Sequence, residues 1–389
     1  MAFGCERCKF DHARLQFTLK NMQKTWQRLK QNNELFEKYF VREQVLQLIR
    51  AFFAKHNYHE VEVPVLVPSL IPESYLEVFA TQLLDRDRNA RPAYLTPSPE
   101  IFLKKLLVSG IGNCYSLTKS FRNTEDRSLT HNPEFTMLEW YHVGVDYKAL
   151  MDETEALFTY IAENIKSKKN VIPAQAGIQI DIDSRSESGM TIEYQGKTID
   201  LVPPWERLTM VEAFQKHANI DLLSVMEEEP MRELAKKRGY KVSERDTWEQ
   251  LFHQIYLNEV EPKFGQSGKP TIIYEFPSQM AALSQKKKSD PRFAERFEVF
   301  IAGLELADGY SELQDWQEQE ARFKAEVAER KRLGKIEHPY DQDFIEALKV
   351  GLPKCAGIAL GVDRLIMLFA DTKRIQDTLF FPGDELWSK

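Results

Sequence analysis

Residues 120–141 read SFRNTEDRSLTHNPEFTMLEWY. The segments on either side of the polar centre, Cys114–Asn123 and Pro133–Val143, are β-prone, and Thr124–Asn132 between them is loop-like. Side chains alternate across a strand, so Phe135, Met137, Glu139 and Tyr141 fall on one face of the second strand. An ordinary strand sends either an apolar or a polar set to a given face. A ring, a thioether, a carboxylate and a phenol together suit a bound ligand better than a core.

Outward from this hairpin, the chain alternates helical and β-type periods. Upstream, Val41, Val45, Leu48, Ile49, Phe52 and Phe53 keep helical spacing. They lead into HEVEVPVLVP at 59–68, a short β-prone run punctuated by Pro64 and Pro68. Leu95–Leu107 reads as a turn and then a helix, with Ser98, Pro99 and Glu100 at its start. Downstream, helical spacing covers Asp146–Ile165, Met210–Lys241 and Thr247–Val260. Two β-type runs follow, PTIIYEFP at 270–277 and ERFEVFIAGLELADGYSEL at 295–313, then a charged helix over Gln314–Arg332. A helix over Phe344–Val350, the run CAGIALGVDR at 355–364 and a helix from Val362 close the chain. No internal repeat is visible.

With 389 residues, 43% hydrophobic and 29% charged, the chain has the composition of a soluble globular protein. No apolar run approaches the ~20 residues that span a bilayer. MAFGCERCKF at the N-terminus has no signal-peptide core, so a cytoplasmic location is expected. The net charge of −7 does not suggest a nucleic-acid binder. Cys5 and Cys8 form a CxxC with only His12 nearby, short of the four ligands of a zinc site, and read as part of a mobile tail. Cys114 and Cys355 lie in apolar surroundings and read as core thiols. Residues 1–36 read as a helical or flexible extension and 37–389 as one catalytic domain. Residues 166–190 are expected to be a surface insertion.

Three constellations carry chemistry. Arg122, Glu125, His131 and Phe135 crowd the first hairpin. Glu298, Glu305, Asp308 and Glu312 lie along 295–313, which reads as a second hairpin with Glu298 and Glu305 as cross-strand neighbours. Placed among Phe297, Val299, Ile301 and Leu306, these acids repel unless a cation relieves them, and oxygen ligands favour Mg²⁺. Gly357 and Gly361 precede Arg364 in the first turn of a helix, where an anion would offset the unfavourable macrodipole. Two arginines for phosphates, an aromatic plane and paired carboxylates for a metal describe a nucleotide site equipped for displacement at phosphorus.

These residues resemble the catalytic core of class II aminoacyl-tRNA synthetases of the lysine subgroup, from about Val41 to Pro382. EVEVP ending at Pro64 is similar to motif 1, SFRN…HNPEFTMLEWY to motif 2 and GIALGVDR to motif 3. The resemblance implies an α+β fold, an antiparallel sheet flanked by helices, and a homodimer formed through motif 1. It implies ATP and Mg²⁺ as cofactors. Arg122 would grip the α-phosphate and the amino-acid carboxylate, with Arg122 and Arg364 as the catalytic pair. Asn123, Glu125, His131, Asn132, Phe135, Glu305, Leu306, Gly361 and Arg364 would bind ATP, Phe135 against adenine and His131 and Arg364 at the γ-phosphate. Glu298 and Glu305 would hold the metal. Ser98, Pro99, Glu100, Tyr141, Asp308, Glu312 and Ala359 would bind the amino acid, Glu100 at its amino group and Tyr141 with Glu312 at its side-chain ammonium.

Within the subgroup, the chain is more similar to the truncated branch that attaches (R)-β-lysine to a lysine of elongation factor P. About 40 residues precede the core, fewer than an OB-fold needs, so none is expected. The resemblance therefore implies lysine or (R)-β-lysine activation with elongation factor P as acceptor. Ala359 stands where the tRNA enzymes have glycine, and its methyl would retune the pocket by ~1–3 kcal/mol. Thr124 lengthens the motif 2 loop, and Asp308 replaces the usual asparagine, adding negative charge beside the substrate. The alternatives are a minimal lysyl-tRNA synthetase and an amino-acid-binding paralogue without catalysis. Retention of both arginines and both metal-binding glutamates disfavours the latter.

Overall fold

In the computed structural model, residues 23–124, 128–165 and 190–387 are described. The Cys5/Cys8 pair, Glu125 and almost all of the expected insertion at 166–190 lie outside them. The main sheet comprises β1 (His59–Glu60), β2 (Cys114–Phe121), β3 (Glu134–Val143), β4 (Glu206–Thr209), β5 (Thr271–Tyr274), β6 (Arg296–Ile301), β7 (Leu304–Ser311) and β8 (Cys355–Gly361). Its spatial order is β1-β2-β3-β8-β7-β6-β5-β4. The two edge pairs, β1 with β2 and β4 with β5, are parallel, and every other pair is antiparallel. Helices pack against it, so the fold is α+β with a mainly antiparallel sheet, as the resemblance implies.

The helices that bear on the site are α1 (Phe36–Lys55), α2 (Glu100–Val108), α3 (Tyr147–Asn164), α4 (Trp316–Arg332), α5 (Gln342–Gly351) and α6 (Val362–Phe369). One face of the sheet is dry. Leu138 and Trp140 of β3, Ala356, Ile358 and Leu360 of β8, and Phe297 and Val299 of β6 pack there. Val45, Ile49, Phe52 and Phe53 of α1 and Leu150, Leu157 and Phe158 of α3 cover them. The helical spacing read in 41–53 is this buried stripe. Asp146 caps α3 by accepting from Lys148 N and Ala149 N.

The opposite face is polar because β8 carries almost no side chain there. Gly357 and Ala359 stand between Tyr141 and Glu139 of β3 on one side and Tyr310 and Asp308 of β7 on the other. A Cβ on Gly357 would come within 2.3 Å of Tyr141 Cε1 and 2.5 Å of Glu312 Oε1. The glycine therefore leaves room for the phenol and the carboxylate to approach over the strand. Gly309 does the same on the dry face, where a Cβ would meet Phe297 Cε1 at 2.7 Å and Ile358 Cβ at 2.9 Å.

Several boundaries differ from the sequence reading. Met210–Lys241 is two helices, Met210–Ala218 and Glu228–Lys237, because Asn219 closes the first with φ +53° and Asp221 caps a short 3-10 turn. Thr247–Val260 is helical only over Trp248–Ile255 and continues as a π-turn to Val260. The charged helix begins at Trp316, capped by Asp315. Glu298 and Glu305 are not cross-strand neighbours: Glu298 faces Asp308, and Glu305 faces Phe300 beyond a register shift at Val299/Phe300. Cys114 and Cys355 are buried free thiols, as expected.

Replacing Gly309 with alanine should destabilise the protein by about 1–3 kcal/mol, because Phe297 and Ile358 must move to admit the methyl. Urea unfolding measures this, and an unchanged midpoint would contradict the packing described.

Candidate functional site

A cavity of about 800 Å³ opens on the polar face. Phe135, Met137, Glu139 and Tyr141 all line it, so the single face read from period two in β3 is the cavity floor. The opposite wall comes from Arg296 and Glu298 of β6, Leu306, Asp308 and Tyr310 of β7, and the loop 71–76.

One end is cationic. Arg122 lies 5.4 Å from the centroid of the Phe135 ring, and its buried Nε has no hydrogen-bond partner. Arg364 is braced by Thr130 O at 3.2 Å, Glu305 O at 2.7 Å and His131 Nε2 at 2.8 Å. His131 Nδ1 in turn meets Ser128 Oγ at 2.8 Å. Burial, with Arg364 and Arg122 nearby, pushes the His131 imidazole down to about 4. The ring is therefore neutral at pH 7 and accepts from Arg364, so it adds no third positive charge beside the two guanidinium groups.

The middle of the cavity holds the acids of β6 and β7. Arg296 grips Asp308 through two bonds, Nε–Oδ1 at 3.0 Å and Nη2–Oδ2 at 2.9 Å, and donates to Glu298 Oε1 at 2.8 Å. The negative charge that Asp308 brings is thus met by a buried fork. Burial pushes both Glu298 and Asp308 up, against the opposing pull of Arg296. Glu298, shared with Arg296, and Glu305, 3.6 Å from Arg364 Nη1, both face the cavity. Among the described residues no group of three or more His, Cys, Asp or Glu side chains could hold a metal. Two carboxylates beside the cationic end nevertheless suit Mg²⁺, which takes few protein ligands and completes its shell with phosphate oxygens and water.

The other end is acidic and enclosed. Glu139 Oε1 accepts from Ser98 Oγ at 2.5 Å and Oε2 from Tyr141 OH at 3.3 Å. Glu100 Oε1 accepts from Tyr310 OH at 2.5 Å. Burial pushes Glu139 and Glu312 up to about 8, while the Lys104 ammonium pulls both the other way.

Most of the residues assigned from the sequence converge here: Ser98, Glu100, Arg122, His131, Asn132, Phe135, Tyr141, Glu298, Glu305, Leu306, Asp308, Ala359, Gly361 and Arg364 line the cavity. Glu312 is not in the lining; its carboxylate lies over Gly357, where a Cβ would meet Oε1 at 2.5 Å. Pro99 and Asn123 are not in the lining. Pro99 is the N-cap of α2, and Asn123 turns its amide to Val78 O and Thr124 N. Asn132 commits its side chain to Glu134 O and Gly383 N, tying the loop to the C-terminal turn. The sequence reading did not assign Arg296, Tyr310 and Lys104. Glu139 it put on the ligand face without giving it a role, although its alternation with Met137 and Tyr141 was the available signal.

The family described as tRNA synthetases class II (D, K and N) matches residues 19–385. The chain belongs to it. An elongation factor P--(R)-beta-lysine ligase of Vibrio cholerae is 39% identical over 87% of this chain and 93% of that protein. A lysine--tRNA ligase of Moorella thermoacetica is 35% identical over 90% of this chain and 66% of that enzyme. One from Listeria monocytogenes is 34% identical over 90% of this chain and 65% of that enzyme. The chain thus spans slightly under two thirds of the length of the lysine--tRNA ligases it matches. Membership in this synthetase family implies use of ATP. Among the described residues no helix is long and apolar enough to cross a membrane.

The His131 imidazole should remain neutral in the free protein down to about pH 5, below the usual ~6.5 of histidine. Proton–nitrogen NMR reads its titration, and a midpoint near the ordinary value would contradict the described packing against Arg364.

Proposed function

We propose that the protein activates lysine or (R)-β-lysine with ATP as an aminoacyl-adenylate and transfers the acyl group to a lysine side chain of elongation factor P. The observation that carries this reading is the polarity of the cavity. One end offers Arg122 and Arg364 with the Phe135 ring, and the other offers the buried acids Glu100 and Glu139 with Ser98, Tyr141 and Tyr310. A molecule that spans it needs an anionic aromatic head and an amine-bearing tail. The Vibrio cholerae ligase matches at higher identity, and over more of its own length, than the two lysine--tRNA ligases named above, which favours a protein acceptor.

In this reading Phe135 stacks on adenine, with Asn132, Leu306 and Gly361 beside the nucleotide. Arg122 holds the substrate carboxylate against the α-phosphate, and Arg364 with His131 faces the γ-phosphate. Glu125 is assigned to adenine. Glu298 and Glu305 would hold Mg²⁺, which supplies positive charge to the polyphosphate. A carboxylate oxygen of the amino acid attacks the α-phosphorus, and the bond to the bridging oxygen of the β-phosphate breaks to release pyrophosphate. Opposed guanidinium groups stabilise the charge that develops. The neutral amine of the acceptor lysine then attacks the acyl carbon. AMP leaves with the bonding pair, and the nitrogen loses its proton to solvent.

At the tail, Glu100 meets the substrate's amino group, and Glu139, Tyr141 and Glu312 meet the side-chain ammonium. Ser98 orients Glu139. Asp308 acts through Arg296, and the Ala359 methyl sits between Asp308 and Glu139, where it limits the width of the floor. A site built around buried acids rejects an uncharged isostere strongly, because a carboxylate would be left unpaired. In this reading the catalytic unit covers 37–389, and the chain self-associates through the motif 1 run at 60–64.

ATP–pyrophosphate exchange tests the first half of the reaction. Exchange supported by α-lysine or (R)-β-lysine is expected, and Arg122→Ala should reduce it by about a hundredfold or more. Absence of exchange with either amino acid would remove the proposal. Labelled amino acid should then appear on elongation factor P, whereas label on tRNA alone would favour a lysyl-tRNA synthetase. Because burial holds Glu139 and Glu312 near 8, both gain protons as pH falls and bind an ammonium less well. The KM for the amino acid should therefore rise severalfold between about pH 8.5 and 6.5, and a flat profile would contradict this assignment.

A further inference from the structure

The acidic end of the cavity contains one cation to which the reaction above gives no part. Lys104, one turn beyond Glu100 on α2, is only 1% exposed. Its ammonium is ion-paired with Glu100 Oε1 and with Glu312 Oε2, the latter at 2.5 Å. The Tyr310 ring lies 5.3 Å from Nζ and the Phe344 ring of α5 lies 6.0 Å away, which closes the pair off from water. Glu312 Oε1 is buried without a hydrogen-bond partner and points at the space that Gly357 leaves open.

Ions this deeply buried persist only when they are paired. Burial alone would lower the Lys104 ammonium, but Glu100 and Glu312 hold it raised and therefore charged. The other titratable groups facing it are Tyr310 from β7, Tyr141 from β3 and Cys355 from β8. Burial raises all three, so they remain neutral at pH 7. Glu139 is the third acid within its field. Glu100, Glu139 and Glu312 together carry three negative charges when ionised, and Lys104 removes one, leaving two.

We propose that Lys104 is a positioning residue that holds the Glu100 and Glu312 carboxyl groups apart and places one positive charge between them, so that this end of the cavity is set to receive the two ammonium groups of a diamino acid. The inference rests on the proposed function and adds a reason for its substrate class. Two ammonium groups balance the remaining charge of minus two, while the substrate carboxylate is matched separately by Arg122. A monoamino acid would leave one buried negative charge unanswered. Without Lys104 three acids would share the enclosure with no cation among them, and Glu139 and Glu312 would hold their protons to still higher pH.

The test compares the wild type with Lys104→Met and Lys104→Arg in amino-acid-dependent ATP–pyrophosphate exchange across about pH 6.5 to 9. In Lys104→Met, the KM for the amino acid should rise about tenfold or more, and the midpoint of its pH profile should move upward by about one pH unit or more. The KM for ATP should change by less than about twofold, because the nucleotide end is untouched. Lys104→Arg should keep the wild-type midpoint. A folded Lys104→Met protein with unchanged amino-acid KM and midpoint overturns the proposal. Should Lys104→Met not fold by circular dichroism, Lys104→Arg decides. A folded arginine variant with the wild-type midpoint supports a role for the charge, and a displaced midpoint overturns it. If the wild type shows no exchange at all, the proposed function fails, and carbon-13 NMR of the glutamate carboxyl groups still tests Lys104. Raised carboxyl midpoints in Lys104→Met support its role, and unchanged ones overturn it.

Discussion

Every acid buried on the polar face of the sheet must find a cation or a donor, and the site is organised by how that demand is met. A carboxylate taken out of water without a partner costs several kcal/mol, comparable to the net stability of a domain. Arg296 answers Asp308 and Glu298, Lys104 answers Glu100 and Glu312, and Ser98 with Tyr141 answers Glu139. Asp363, at the start of α6, is answered by Arg42 of α1 and by the backbone N–H of Thr136 at 2.6 Å. That last set joins α1, β3 and α6 at the point where Arg364 enters the cavity. The same pairings that make the face tolerable to fold also fix the side chains that a substrate would meet.

Small residues in β8 make this possible. Gly357 and Ala359 keep the centre of the floor low, so side chains from β3 and β7 can converge over it. The dry face beneath is filled by Ile358 and Leu360 of the same strand. One seven-residue strand therefore serves the core with alternate residues and opens the cavity with the others. Beyond the wall, Arg330 of α4 is 2% exposed and donates to Glu73 O, Leu76 O and Ile336 O, so the loop 71–76 is anchored as a fixed rim.

Much of this was legible in the sequence because it is local. Alternation in 135–141 picked out the face that lines the cavity, and the separated runs around Arg122, Glu298 and Arg364 converge on that cavity. What escaped depends on residues distant in the chain. The pairing of Lys104 with Glu312 spans more than half of it, and no periodicity marks it. Nothing about the spacing of Glu298 and Glu305 shows that a register shift at Val299/Phe300 will place Asp308 opposite Glu298 instead. The fork of Arg296 on Asp308 follows only once that register is known. Glu206–Thr209 is too short and too evenly half-buried to read as a strand, yet it forms the parallel edge beside β5.

In the proposed reaction the acidic end is held in balance by buried charges and takes its final ionisation from the substrate's ammonium groups. Calorimetric binding of the amino acid at about pH 7, in buffers of differing ionisation enthalpy and with a non-cleavable ATP analogue present, measures this directly. Both substrate amines enter already protonated, so acids that burial holds near 8 should lose protons as the ammonium groups arrive. Net proton release on binding is the expected result. Zero exchange, or proton uptake, would contradict the charge balance described for Glu100, Glu139, Glu312 and Lys104.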